Sequence, residues 1–180
     1  MTARIEKEFL FDTAVHFENN FLINNFYCYL YMSVNTDSGH EQNVAIERVN
    51  YFLSNIVEHS IFVNEKEKDV ISKYEKAGIN ILTLPDEPYD QIIACVLMCK
   101  LNAIMENKIQ VDQIVLGSKL TTGIKFNIYF EEAEQYSTTS NWWNESTTNT
   151  QLKTKSKKEK VVKLFDQDDW KELGLIWKEK

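Results

Sequence analysis

The segment from Pro88 to about Glu106 constrains the fold most, because it is the longest apolar stretch with helical spacing in the chain. Its broad apolar face consists of Ile92, Ile93, Val96, Leu97, Leu101, Ile104 and Met105. A helix with so wide an apolar surface needs other elements packed around it. Pro88 suits the first helical position, and the acidic pair Asp86 and Glu87 favours the helix N-terminus. We therefore expect residues 88–106 to form the central helix of the core.

Several segments have the pattern of β-strands. Residues 26–34 alternate strictly, with Phe26, Cys28, Leu30, Met32 and Val34 on one face and Tyr27, Tyr29 and Tyr31 on the other. That period of two predicts a half-buried strand. Residues 111–116 and 124–130 are predicted to form an antiparallel hairpin. Shorter strands are indicated at 61–63 and 79–84.

The first 24 residues are compatible with a strand or a short helix. Two asparagine pairs, at positions 19–20 and 24–25, predict turns. Two further helices are indicated. Asn43 is predicted to cap a helix that ends near residue 60, and a second helix is predicted to begin after Asn64 and to stop before Gly78.

This order of elements predicts an α/β (α+β) fold, with a mixed sheet of four to five strands and three helices packed on it. We expect residues 1–133 to form that domain. Residues 134–180 (the extension) are predicted to be a polar, lysine-rich segment with an aromatic C-terminal part. The pattern leaves the strand order open.

Charge is unevenly distributed along the chain, whose net charge is −7. Residues 1–133 hold 11 Lys and Arg against 19 Asp and Glu, a net charge of −8, and the extension carries +1. Sequence-independent binding to a phosphate backbone requires clustered Lys and Arg. The acidic body therefore argues against such binding, and the lysine run from Lys153 to Lys163 is the basic patch that the sequence offers.

Cysteine usage and hydropathy indicate the compartment. Three cysteines, Cys28, Cys95 and Cys99, are an odd number, and two of them lie within the predicted core helix. This pattern is typical of buried free thiols in a reducing compartment. The N-terminus has no apolar run that suits a signal peptide, and no stretch approaches the ~18 apolar residues of a membrane span. We expect a soluble, cytoplasmic protein.

All four tryptophans of the chain lie in the extension. Large apolar residues are unusual in polar sequence, because they aggregate unless something buries them. The extension is therefore predicted to dock either on its own domain or on a protein partner, which includes a second copy of the chain. The candidate partner-binding residues are Trp142, Trp143, Leu164, Phe165, Trp170 and Trp177.

A second hypothesis concerns nucleic acid. Spaced tyrosines on a sheet face can stack unpaired bases, and lysines can follow the phosphates. The candidate residues for single-stranded nucleic acid are Tyr27, Tyr29, Tyr31, Lys155, Lys157, Lys158 and Lys160. The alternative interpretation is that the tyrosines pack beneath a helix or the extension.

Catalytic and cofactor signals are weak. Asp37, His40 and Glu41 lie close together in sequence and could ligate a metal or act as acid and base, although lone clusters of this kind are usually solvated loop and cap residues. Cys95 and Cys99 are four residues apart, whereas redox and metal pairs usually have a two-residue gap. We predict no cofactor, no metal and no catalytic residue, and an enzyme site near His40 and Glu41 remains a third hypothesis.

One short motif in the extension resembles a known docking peptide. Leu164, Phe165 and Asp166, followed by acidic residues and Trp170, resemble the peptides with which T-even-type phage DNA polymerases reach the sliding clamp. The resemblance implies two apolar anchors in a groove with a basic rim, and hence a replication or transcription component as the partner. The alternative is an amphipathic helix that packs back on the body.

Two longer stretches are also familiar. They comprise residues 84–91 leading into 99–106, and Trp142 to Asn144 before residues 161–164. Together they resemble uncharacterised proteins of marine T-even-like bacteriophages. The resemblance implies a phage-encoded protein in the host cytoplasm and carries no catalytic residue across. A non-enzymatic interaction protein is thus the first hypothesis.

Overall fold

A six-stranded mixed sheet organises the molecule. The computed structural model describes residues 3–138, 141–148 and 169–177. Six strands are formed by β1 (Arg4–Phe17), β2 (Asn20–Val34), β3 (Ser60–Asn64), β4 (Asn80–Leu84), β5 (Ile109–Ser118) and β6 (Lys125–Tyr129). Their order in the sheet is β4-β3-β1-β2-β5-β6. The predicted α+β class is confirmed, with one strand more than the upper end of the expected range.

The helices connect and cover these strands. They are α1 (Gly39–Tyr51), α2 (Lys68–Lys76), α3 (Asp90–Met105), α4 (Phe130–Ser137) and α5 (Asp169–Glu172). A π-helical segment (Phe52–Val57) prolongs α1, and a short 3-10 helix comprises Trp142–Asn144. The strands pair in parallel within β1-β3-β4 and antiparallel within β1-β2-β5-β6.

The first two strands form a long hairpin that the sequence indicated only in part. Glu18 and Asn19 both have positive φ, as the two-residue turns that match strand twist require. The turn predicted at residues 24–25 is wrong, because both asparagines lie inside β2 and pair with β1. There Asn25 donates a hydrogen bond of 2.6 Å to Asp12. Cross-strand pairing thus overrides the local turn preference of asparagine.

Helix starts also differ from the predicted ones. Ser38, rather than Asn43, caps α1, because its hydroxyl accepts a hydrogen bond from the backbone N–H of Glu41. The predicted end of α2 is confirmed, since Gly78 follows the last turn with a φ of 72°. The hairpin of β5 and β6 is confirmed as antiparallel.

The two faces of the sheet are covered differently. One face, called the covered face, packs beneath α1, α3 and α4, and α3 is buried on nearly all sides, as predicted. On the other face, α2 covers β3 and β4, where Ile61, Val63 and Tyr74 form a separate small cluster. His16 in β1 shares a hydrogen bond of 2.9 Å with Tyr74 of α2.

The described parts of the extension join the main core. Trp142, Trp143 and Trp170 belong to the same buried cluster as the residues of α1, α3 and the sheet. Helix α4 runs through the predicted boundary at residue 133. The division into 1–133 and 134–180 stays a prediction, although described residues on both sides of it share one core.

Candidate functional site

A fully buried lysine holds the first part of the extension against α3. The Nζ of Lys100 donates hydrogen bonds to the backbone carbonyls of Trp142, Glu145 and Thr147, at 2.9, 2.8 and 2.6 Å. It also lies 5.6 Å from the centre of the Phe52 ring and 5.8 Å from that of Trp142. An ammonium has three donors, and three carbonyls accept them here. Burial lowers the pKa of Lys100 to about 7.

A second buried cation holds the C-terminal part. Arg48 in α1 donates through Nε to the carbonyl of Leu175 at 2.9 Å. Its Nη1 donates to the carbonyl of Ile104 and to the carboxylate of Glu106. The guanidinium carbon lies 4.9 Å from the ring centre of Trp170 and 4.1 Å from that of Trp177. Cation–π contact and carbonyl bonds thus attach residues 170–177 to α1.

The tryptophans therefore contact the body of the same chain. Trp142 and Trp143 are each 1% exposed and meet edge to face at 5.7 Å. Trp170 is buried against Tyr51, and Trp177 packs on the core while partly exposed. Their indole N–H groups donate in order to Thr83 O, Tyr136 O, Ser146 O and the Glu106 carboxylate. Leu164 and Phe165, the other candidate anchors, lie outside the described residues.

The three candidate tyrosines lie on the opposite face of the sheet, over its antiparallel half. The register places Tyr31, Gln113 and Tyr129 in one row across the strands. Tyr29, Val115 and Asn127 form the next row, followed by Tyr27, Gly117 and Lys125. Within the described ranges, no helix covers this part of the sheet. We call it the open face and include the residues of β1 that pair with the tyrosines.

The outer part of the Tyr27 ring lies close to Gly117. A methyl group at Gly117 would overlap that ring, so the missing side chain makes room for the tyrosine. The Nζ of Lys125 lies 5.4 Å from the centre of the Tyr27 ring and 5.2 Å from that of Tyr29. Two phenol rings of the open face therefore hold a cation of the chain itself.

Carboxylates and apolar residues of β1 flank the tyrosines. The register pairs Glu6 with Tyr31, Glu8 with Tyr29, and Leu10 with Tyr27. A hydrogen bond to Glu8 and its charge raise the pKa of Tyr29. Leu10 is 71% exposed although it points from the middle of a long strand. The open face is thus acidic and aromatic.

An apolar groove of about 370 Å³ continues the open face toward the start of β3. Phe21, Ile23 and Ile79 line it, and all three are exposed, Ile23 to 71%. Asp12, Glu58 and His59 stand at the groove. Exposed apolar surface bordered by polar groups is typical of interaction sites.

Only some of the candidate nucleic-acid-binding residues lie within the described part of the chain. Tyr27, Tyr29 and Tyr31 share the open face, as the alternation predicted. Lys155, Lys157, Lys158 and Lys160 lie outside the described residues. Lys125, which the sequence did not single out, is the lysine that the structure places beside the tyrosines.

Glu41, one of the remaining sequence candidates, has structural partners. Glu41 binds the Thr36 hydroxyl and the Nζ of Lys108, the latter at 2.9 Å. Cys28, Cys95 and Cys99 are free and buried. Burial raises the pKa of Cys95 to about 11 and that of Cys99 to about 12, away from the thiolate that reactive cysteines need.

The described residues show neither a metal-ligand cluster nor a membrane-spanning helix. No group of three or more His, Cys, Asp or Glu side chains in the described ranges is arranged to hold a metal ion. Likewise, no described helix is both long and apolar enough to cross a membrane.

The sequence reasoning missed Lys100, Arg48, Glu6, Glu8 and Leu10. A signal existed for Lys100, since it interrupts the apolar pattern of α3 between Cys99 and Leu101. A lysine there has to find acceptors inside the core or reach solvent. For the residues of β1 the signal was weak, because that segment was compatible with a strand or a helix.

Comparisons with known proteins identify the fold. No family model matches the chain, and no curated protein matches it. An uncharacterized protein from Wolinella succinogenes superimposes with a TM-score of 0.51 at 10% identity, over 72% of this chain and 99% of that one. A catalytic-residue mutant of 6-pyruvoyltetrahydropterin synthase from Plasmodium vivax gives 0.46 at 11% identity, over 71% and 97%. The likeness to the Wolinella protein shows a related fold and nothing of activity.

Proposed function

We propose that this protein is a non-enzymatic interaction protein that presents the open face of its sheet to a protein partner. The observation that carries the proposal is that the two faces of the sheet differ in how far other elements cover them. Helices and the described residues of the extension bury most of one face, whereas no described helix covers the antiparallel half of the other face. Exposed apolar and aromatic side chains such as Leu10 and Tyr31 are costly in water unless a partner uses them.

The composition of the open face supports a protein ligand. Tyrosine is enriched in protein interfaces, because it contributes a large contact area with few rotatable bonds. Here Tyr27 stands beside Leu10, and Ile23, further along β2, lines the apolar groove. The rest of the domain supplies rigidity, since the strands beneath these residues pack on α3.

The role of the extension also changes in this proposal. Its described residues pack on the body of their own chain, through Lys100 and Arg48. They therefore support the interaction platform from behind. The clamp-like motif at Leu164 and Phe165 stays a separate prediction about residues 149–168.

A photo-crosslinking phenylalanine analogue placed at Leu10 of the full chain tests the proposal. The matched control carries the analogue at Glu134, an exposed position of α4 behind the sheet. We expect a crosslinked protein from position 10 that is missing from position 134. The captured protein, once purified, should bind the Leu10→Ser/Tyr31→Ser double variant about tenfold more weakly than the original chain. Equal crosslinking at both positions, or equal binding to both chains, contradicts the proposal.

Single-stranded nucleic acid is the second candidate function, favoured by Lys125 above the rings of Tyr27 and Tyr29. Against it, Glu6 and Glu8 stand beside the tyrosines and repel phosphate. A labelled oligothymidine measured by fluorescence anisotropy at about 50 mM salt distinguishes the two functions. Binding that falls steeply with salt and is lost in the Tyr27→Ser/Tyr29→Ser variant would favour the nucleic acid.

A further inference from the structure

We infer that the open face recognises a cationic, partly apolar segment of its partner, with arginine or lysine side chains between apolar ones. This inference rests on the proposed function and specifies the chemistry of the ligand. The ammonium of Lys125, held above the rings of Tyr27 and Tyr29, shows which group the face accommodates. The face thus binds one cation from within the chain.

An equivalent position on the same face is formed by Tyr31 and Glu6. The register makes them direct cross-strand neighbours, and Tyr31 is 36% exposed. Glu6 is exposed and has no hydrogen bond or ion pair with any described residue. A guanidinium placed there would stack on the phenol ring and pair with the carboxylate. Glu8, in the next row, adds a second negative charge.

Apolar contacts would be made toward the other end of the face. Leu10 and Ile23 are each 71% exposed, and the apolar groove follows them. Asp12 and Glu58 stand at that groove and offer further carboxylates. From Glu6 to Ala14 the strand rises about 27 Å, so a segment of about eight extended residues would span the face.

Charge complementarity decides between this ligand and others. Residues 1–133 carry a net charge of −8, and the carboxylates of β1 stand in the open face itself. An acidic segment or a nucleic acid would meet repulsion along β1. A second copy of the chain would bring the same carboxylates to the interface. A cationic protein segment is the occupant that relieves this charge.

Three synthetic ten-residue peptides test the inference with the full chain. The first alternates Arg with Val, the second has Glu in place of Arg, and the third has Ser in place of Val. We expect the Arg–Val peptide to bind most tightly by fluorescence anisotropy. The Tyr31→Leu variant and the Glu6→Gln/Glu8→Gln variant should each weaken it about tenfold. Glu134→Gln, which removes an exposed carboxylate behind the sheet, should leave affinity unchanged.

Other outcomes overturn the inference in distinguishable ways. Equal binding of the Arg–Val and Glu–Val peptides, or no effect of the Glu6→Gln/Glu8→Gln variant, contradicts a cationic ligand. If the partner crosslinked at position 10 still binds that variant normally, the interaction function stands and only the ligand chemistry fails. If sedimentation shows a dimer and the Leu10→Ser variant is monomeric, the occupant of the open face is a second copy of the chain. The lysine run of the chain itself is the occupant if the peptide binds only to a variant with four lysines changed to Gln, at Lys155, Lys157, Lys158 and Lys160.

Discussion

The covered face and the open face of the sheet use aromatic and cationic side chains in opposite ways. On the covered face, Lys100 and Arg48 are buried, and each donates to backbone carbonyls while it contacts tryptophan rings. On the open face, Lys125 lies above two tyrosines at the surface, and carboxylates stand beside them. The same kind of cation–aromatic contact thus attaches the extension to the core on the covered face and lies at the surface on the open face.

Burial, rather than residue type, decides the role of each of these cations. A desolvated cation must satisfy all of its donors, so Lys100 fixes the path of the extension. An exposed cation above tyrosine contributes little to stability but marks a surface that accepts positive charge. Substitutions on the two faces should therefore separate stability from binding.

Trp142→Ala should have the largest effect. The side chain is 1% exposed, stacks near Phe52 and donates a hydrogen bond to Thr83 O. Its removal leaves a cavity and an unsatisfied carbonyl, so we expect the free energy of unfolding to fall by about 4 kcal/mol. Urea unfolding followed by circular dichroism measures this. A loss below about 1 kcal/mol would mean that the extension is not part of the core.

Lys100→Met should be the next most severe substitution. It keeps the apolar stem but leaves the carbonyls of Trp142, Glu145 and Thr147 without their donor. We expect a loss of about 3 kcal/mol and faster proteolysis of the extension. Lys119→Met, at an exposed position, is the matched control and should change nothing. Equal or greater stability of Lys100→Met would show that removing a buried charge outweighs the lost bonds.

Gly117→Ala should cost about 1–2 kcal/mol, because its methyl group displaces the Tyr27 ring. The double variant with Tyr27→Ala tests this reason. If the overlap is the cause, Gly117→Ala should be nearly neutral in that background. If the losses of the two single variants add up in the double variant, Gly117→Ala destabilises the backbone of β5 rather than displacing the ring.

Stability should rise with pH just above neutrality. Burial lowers the pKa of Lys100 from 10.5 to about 7, so above pH 7 the unfolded chain binds more protons than the folded one. Between pH 7 and about 8.5 this adds about 1.6 kcal/mol to the free energy of unfolding. Above the ordinary thiol pKa of 9.0, the raised pKa values of Cys95 and Cys99 act in the opposite direction. In Lys100→Met, the rise between pH 7 and 8.5 should vanish; its persistence would assign it to another group.

Tyr31→Ser should have the smallest effect on folding. The ring is 36% exposed on the open face, so we expect a change in unfolding free energy below about 0.5 kcal/mol. Partner binding should nevertheless weaken. Tyr31→Ser would then affect binding without affecting stability, whereas Trp142→Ala affects stability. A large destabilisation would instead indicate that the open face is covered within the molecule.

Hydrophobic patterns in the sequence predicted those helices and strands whose alternation or helical spacing is clear within the segment itself. The period of two in β2 and the apolar face of α3 predicted both elements and the tyrosine face. The same reasoning failed at Asn24 and Asn25, whose turn preference is local while their strand partners lie in β1. It also left the first strand undecided, because β1 takes its register from a neighbour.

The sequence alone was enough to predict the α+β class, the central helix and the side of β2 on which its tyrosines lie. Hydrophobic periodicity follows from backbone geometry, which each segment expresses without its neighbours. The folded structure was needed to show that Trp142, Trp143 and Trp170 complete the core, and that Lys100 and Arg48 hold them there. It alone set Glu6, Glu8 and Leu10 beside the tyrosines. Contacts between residues far apart in the chain depend on strand order and packing, which no local pattern specifies.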